Sequence, residues 1–133
     1  MTQDLVSVAY KSRSTDRIVD PKTLASILFV AQRHNVADQL TGALTYGDGH
    51  FIQVLEGPEE ALVATMSRII ADVRHLDLEI VGPTPIARRM FPDWCMALLS
   101  VEPALQPVFS ALVSDWQTFG PRAAALLSTS LQD

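Results

Sequence analysis

The sequence predicts an α+β fold, two helices laid on one face of a mainly antiparallel sheet, and three observations carry that expectation. Short apolar runs such as Leu5–Tyr10 and Leu40–Tyr46 have strand length and strand composition. Apolar residues recur at helical spacing in the stretches that follow Asp20 and Pro58. The two kinds of segment interleave as β-α-β-β-α-β-β, as in a two-layer mixed domain. With 133 residues, 48% of them hydrophobic and 19% charged, the chain fits a single packed domain and not a disordered tail.

The elements follow in order. In Leu5–Tyr10, Val6, Val8 and Tyr10 share one strand face, and a polar loop is expected from Lys11 to Val19. Asp20-Pro21 reads as a helix start, with Asp20 as N-cap and Pro21 in the first turn. Leu24, Ile27, Leu28 and Ala31 form the stripe of that helix, which should end near His34. Leu40–Tyr46 and His50–Leu55 flank Gly47-Asp48-Gly49, a hairpin signal. Pro58 opens a second helix with Leu62, Met66, Ile69 and Ile70 on its apolar stripe, ending near Val73. Leu78–Val81 and Trp94–Leu99 complete the strands, joined by a connection from Gly82 to Asp93. This is the ferredoxin-like plan with an added strand. Beyond Ser100, two short helices are expected, about Ala104–Phe119 and Arg122–Leu131, covering the open sheet face or a partner. The chain thus divides into a domain at 1–100 and a helical extension at 101–133.

Charge and composition exclude several functions. The net charge is −5 with no run of Lys or Arg, which argues against nucleic acid and anionic membrane as partners. Cys95 is the only cysteine, so neither an intrachain disulfide nor a paired-cysteine metal site is expected, and His34, His50 and His75 lack metal-ligand spacing. Cys95 itself reads as a half-buried strand thiol. The first residues do not read as a signal peptide and no 18-residue apolar run occurs, so a cytoplasmic location is expected. No phosphate-cradling glycine loop is present, because Gly47 and Gly49 sit in a hairpin. Asp72, Arg74 and His75 form a charged cluster at a helix end.

Gln53 stands apart from this background. It lies in Phe51-Ile52-Gln53-Val54-Leu55, a strand apolar on both faces. An unsatisfied buried amide costs about 1–3 kcal/mol, so Gln53 requires a partner. Tyr10 reaches it if the first and third strands are neighbours; a bond to a backbone group would satisfy it as well.

These residues also carry a resemblance. From Leu5 to Leu98 the chain resembles the BLUF family, sensors of blue light using FAD. The matching blocks are Val8-Ala9-Tyr10-Lys11-Ser12, Leu24-Ala25-Ser26-Ile27-Leu28, Asn35, Leu40-Thr41-Gly42-Ala43-Leu44, Phe51 to Pro58, Asp72-Val73-Arg74-His75, and Arg89 to Met96. The resemblance implies FAD, with FMN or riboflavin as substitutes, held between the two helices. Ile27 and Ile69 would be its apolar jaws, Asn35 would bond the carbonyl edge just past the first helix, and His34, Arg68 and Asp72 would complete the binding set. Tyr10 and Gln53 would be photoactive, Tyr10 releasing an electron with its phenolic proton and Gln53 ending rotated or tautomerised. Trp94 and Met96, on one face of the fifth strand, would relay the signal.

The chain departs from the family pattern at three positions. Gln39 stands where glycine is frequent, which could alter the turn presenting Asn35. Val73 replaces a frequent proline, and Cys95 a small residue. The expected function is therefore non-enzymatic blue-light sensing, passed to a protein partner in trans or to a homo-oligomer. Two readings compete: a small flavin-dependent enzyme or hydrolase on the same scaffold, and a light-inert interaction domain. A colourless purified protein would favour them.

Overall fold

The computed structural model describes residues 4–15, 20–99, 101 and 105–129. Five strands form one sheet: β1 (Leu5–Ser14), β2 (Thr41–Gly47), β3 (His50–Pro58), β4 (His75–Ile86) and β5 (Ala97–Leu99), in the order β4-β1-β3-β2-β5. Pairing is antiparallel except between β2 and β5, which run parallel. Helices α1 (Pro21–Asp38) and α2 (Glu59–Ala71) cover one face. The other face carries α3 (Gln106–Ser114), α4 (Trp116–Phe119), a 3-10 turn (Gly120–Arg122) and α5 (Ala123–Ser128). The predicted ferredoxin-like arrangement is therefore present, with a third layer of C-terminal helices.

Alternation along the strands builds two cores. Val6, Val8, Tyr10, Leu44 and Leu55 meet Leu62 and Met66 of α2 on one side. Ala9, Ala43, Ile52, Val54 and Leu99 meet Phe109, Leu112, Trp116 and Leu127 on the other. The C-terminal helices thus cover the open sheet face.

Local chemistry sets the boundaries. Asp20 caps α1 through Oδ1, which accepts from the Thr23 N–H at 2.7 Å, and Pro21 follows it. α1 continues to Asp38 and not to His34, so Asn35 lies in its last turn. Gln39 ends the helix in the left-handed conformation at φ 60°, where glycine would sit without steric cost. The turn still closes, with the Leu40 N–H donated to the Asn35 carbonyl at 2.9 Å. The β2–β3 hairpin turns on Asp48 and Gly49, both at positive φ as a type I′ turn requires.

Other boundaries differ from expectation because pairing overrides local signals. β1 runs on to Ser14, where a loop is expected from Lys11, since its residues to Ser14 pair with β4; residues 16–19 of the expected loop lie outside the described residues. β4 spans far more than Leu78–Val81: Thr84, Pro85 and Ile86 pair with Ser7, Val6 and Leu5. The two prolines are tolerated because β4 is an edge strand. α2 stops at Ala71, and Ile70 points outward, 56% exposed, instead of joining the apolar stripe. The helix expected from about Ala104 breaks at Asp115, whose carboxylate caps α4 by accepting from the Thr118 N–H. The Trp116 ring then lies so close to Gly120 that a Cβ there would approach it to 2.6 Å. Ala104 and Leu131, the outer bounds of the expected helices, fall outside the described residues. No helix among the described residues is long and apolar enough to cross a membrane.

β5 begins only at Ala97, three residues later than expected. Trp94 and Met96 precede the strand and do not share a face: Trp94 is 47% exposed and Met96 2%. The cause is visible in the main chain. The carbonyls of Trp94, Cys95 and Met96 accept from the Gly42 N–H, the Asn35 amide and the Gln32 amide respectively, and not from a regular ladder. Cys95, half-buried, likewise lies outside the strand.

Candidate functional site

A cavity of about 210 Å³ opens between α1 and α2, floored by β1 and β3. All eight residues singled out above for photochemistry or binding line it: Tyr10, Ile27, His34, Asn35, Gln53, Arg68, Ile69 and Asp72. α1 explains how the space arises. Only Asn35 of this helix is buried; Ile27 and Ala31 are partly exposed, so the helix stands off the sheet.

The floor is a buried polar pair. Tyr10 and Gln53 are direct cross-strand neighbours on β1 and β3. The Tyr10 hydroxyl donates to Gln53 Oε1 at 2.5 Å, and Gln53 Nε2 contacts Met96 Sδ at 3.6 Å. Both ends of the amide are thereby engaged by groups of different character, an oxygen acid and a soft sulfur. Burial pushes the Tyr10 phenol well above its ordinary value; the Asp72 carboxylate adds to this and Arg74 opposes it. Tyr10 accordingly keeps its proton at neutral pH.

The α2 side is fixed by a second polar set. Arg74 donates to the Asp72 carboxylate through Nε and Nη2, and its own N–H joins them. The Arg74 hydrogen bonds hold the Asp72 carboxyl below the usual carboxylate range, and the pair raises Arg74. His75 Nε2 lies 2.6 Å from the Ile69 carbonyl, and because a carbonyl only accepts, Nε2 carries the proton. Nδ1 faces Ser12 Oγ at 2.8 Å, so the ring ties the wall at Ile69 to β1. Arg68 Nη2 reaches Asp38 at 3.6 Å, bridging the two helices at the cavity mouth, and donates to Thr65 Oγ1.

Arg74, His75 and Thr65 also line the cavity, though the sequence marks Arg74 and His75 only as a helix-end cluster and Thr65 not at all. Trp94 and Met96 are not in the lining; Met96 lies in the core beneath it and meets the Gln53 amide with its sulfur. Asn35 donates Nδ2 to the Cys95 carbonyl at 2.6 Å, so the pocket wall is bonded to the segment that leads into β5. Among the described residues no group of acidic, His or Cys side chains could hold a metal. Ile27 and Ile69 offer apolar contact for a flat ring, while Asn35, Gln53, Arg68 and His34 offer polar groups for its edge. That donor set fits a flavin.

Comparison with known proteins agrees with the geometry. The family model described as BLUF, sensors of blue-light using FAD, matches residues 5–97. The photoactivated adenylate cyclase subunit beta of Euglena gracilis is 34% identical over 118 residues, covering 84% of this chain but 14% of that protein. The blue light- and temperature-regulated antirepressor BluF of Escherichia coli (strain K12) is 32% identical, covering 94% of this chain and 32% of that protein. The dark-state structure of BlrB, a BLUF protein, superposes with a TM-score of 0.80 at 31% identity, over 98% of this chain and 97% of that one.

Proposed function

This chain belongs to the family of sensors of blue light using FAD, and from that premise we propose that it is a photoreceptor unit without catalytic activity of its own, signalling through the Tyr10–Gln53 pair. The single observation that carries the reading is the buried Tyr10–Gln53 hydrogen bond on the floor of the cavity. A bound flavin supplies blue-light absorption and an oxidising excited state.

The chain's own residues do the rest. Ile27 and Ile69 bind the ring by apolar contact and exclude water from it. Asn35, His34, Arg68 and Asp72 orient its polar edge and side chain. In the dark the phenolic proton stays on Tyr10 and is donated to Gln53 Oε1; under light Tyr10 would give an electron and that proton to the oxidising chromophore and regain both on recombination. Loss of the Tyr10 donor removes what fixes the amide, and Gln53 can reverse its two ends. Met96 receives the change through its sulfur, and β5 carries it toward the C-terminal helices. Trp94, half-exposed on the same segment, is the relay's surface residue.

Residues 1–100 form the sensing unit and 101–133 the element that passes the signal on, to a partner protein or a second copy. The antirepressor and cyclase names of the relatives support a regulatory output of this kind. An absorption difference spectrum before and after a blue flash tests the reading. A red shift that reverses in the dark is expected; a bleached or static spectrum sinks it.

A further inference from the structure

Gln32 lies on α1, one turn before Asn35, partly buried and outside the cavity lining. Its Nε2 donates to the Met96 carbonyl at 3.1 Å. Asn35 Nδ2 holds the preceding carbonyl, Cys95, at 2.6 Å, and the Gly42 N–H holds Trp94 at 3.0 Å. Three successive carbonyls are therefore pinned, two of them by side-chain amides three residues apart on one helix, the spacing that puts both on the same face. The segment has no regular strand pairing before Ala97, so these bonds, with the Trp94 N–H on the Phe91 carbonyl and the burial of Met96, place it. At its end, Met96 turns Sδ to 3.6 Å from the Gln53 amide.

We propose that Gln32 is a positioning residue for the photoreaction: it anchors the Met96 main chain so that the Met96 sulfur lies against the Gln53 amide. The proposal rests on the sensor reading above and extends it to a residue that touches neither the cavity nor Tyr10. The bond belongs to the arrangement in which Gln53 Nε2 faces Met96. Removing the donor weakens that arrangement relative to the switched one, and the return to it after light is slowed. Asn35 cannot substitute, because its amide is already committed to Cys95 and faces the cavity.

The test uses the flavin-loaded protein with Gln32→Met, which keeps side-chain length and deletes the donor, and Gln32→Lys, which restores one. Gln32→Met is expected to keep the flavin and the full red shift but to recover in the dark at least ~3-fold more slowly. Amide exchange over residues 94–97 in the dark should rise in the same variant, and Gln32→Lys should bring both readouts back toward the parent. Gln32→Glu, similar in shape and without a donor when ionised, replaces Gln32→Met if that protein does not fold. Parental recovery and exchange in the donor-less variant, or equal changes in Gln32→Lys, overturn the assignment. A parent that shows no flash-induced shift is instead a failure of the sensor reading, and the exchange measurement then still decides whether Gln32 holds the segment.

Discussion

Tyr10 and Gln53 sit opposite each other on adjacent strands, in a largely apolar core where the Tyr10 hydroxyl satisfies the amide oxygen. Gln53→Leu keeps much of the volume and removes both polar ends, so the flavin should stay bound while the light-induced red shift disappears. A difference spectrum of the variant checks this, and a normal shift would remove Gln53 from its role. Tyr10→Phe deletes only the hydroxyl and should also retain flavin without the normal photocycle; a parental photocycle would move the electron donor elsewhere. The raised phenol adds a pH expectation. Because burial lifts the folded-state value above the unfolded one of about 10, the stabilisation from keeping Tyr10 protonated is intact below that pH and is lost only as pH rises beyond it. Shift amplitude should therefore be flat between about pH 6 and pH 9, and a titration within that window would contradict the buried neutral phenol.

At the scale of elements, the segment joining β4 to β5 is held less by regular pairing than by single groups. Glu56 of β3 is fully buried, and its carboxylate accepts from the Met90 N–H at 2.9 Å, the Phe91 N–H at 2.6 Å and the Thr41 hydroxyl at 3.0 Å. Arg89 adds bonds to Thr41, to the Glu56 carbonyl and to the Gln39 carbonyl. Glu56→Ala would strand the buried Phe91 N–H, at about 1–3 kcal/mol, and leave the half-buried Met90 N–H and the Thr41 hydroxyl without their acceptor. A total near 3 kcal/mol should lower Tm by roughly 10 °C for a domain of this size, as thermal unfolding would show. A shift of less than about 2 °C would mean that the segment is held by Arg89 and packing instead.

The whole molecule is a three-layer stack in which the sheet separates the cavity between α1 and α2 from the C-terminal helices. Among the described residues, two connections lead from the cavity side toward those helices. Ala97 and Leu99 of β5, just beyond Met96, pack into the core shared with Phe109 and Leu112. Lys11, next to Tyr10 but on the opposite sheet face, donates to the Val113 carbonyl at 3.0 Å and pairs with Glu79 at 2.8 Å. A local amide reversal needs a packed element with two arrangements to be felt at a distance. Met96→Ala should therefore keep flavin and red shift yet abolish the light–dark difference in hydrogen exchange of α3 to α5. If that difference persists unchanged, the Lys11 connection is the route.

Read along the chain, periodicity and capping residues identify every strand and both large helices, and Gln53 is conspicuous because a lone amide in an apolar strand must find a partner. Hydrogen-bonding demand is a local property, so it is legible locally. Where strands end is not. β1 and β4 extend because each supplies pairing for the other, and Pro83 and Pro85 belong to a strand only because that strand lies at the sheet edge. Trp94 and Met96 show the same limit: alternation places them on one face, but the Gly42, Asn35 and Gln32 donors bend the main chain out of the ladder and send one side chain outward and the other inward. The sequence by itself determined the fold class, the need of Gln53 for a partner and the family likeness; that the partner is the Tyr10 hydroxyl was decided by the register of β1 against β3. Only the tertiary structure decided which carbonyls the α1 amides hold, because that depends on groups about 60 residues apart meeting across a sheet, a distance no local pattern encodes.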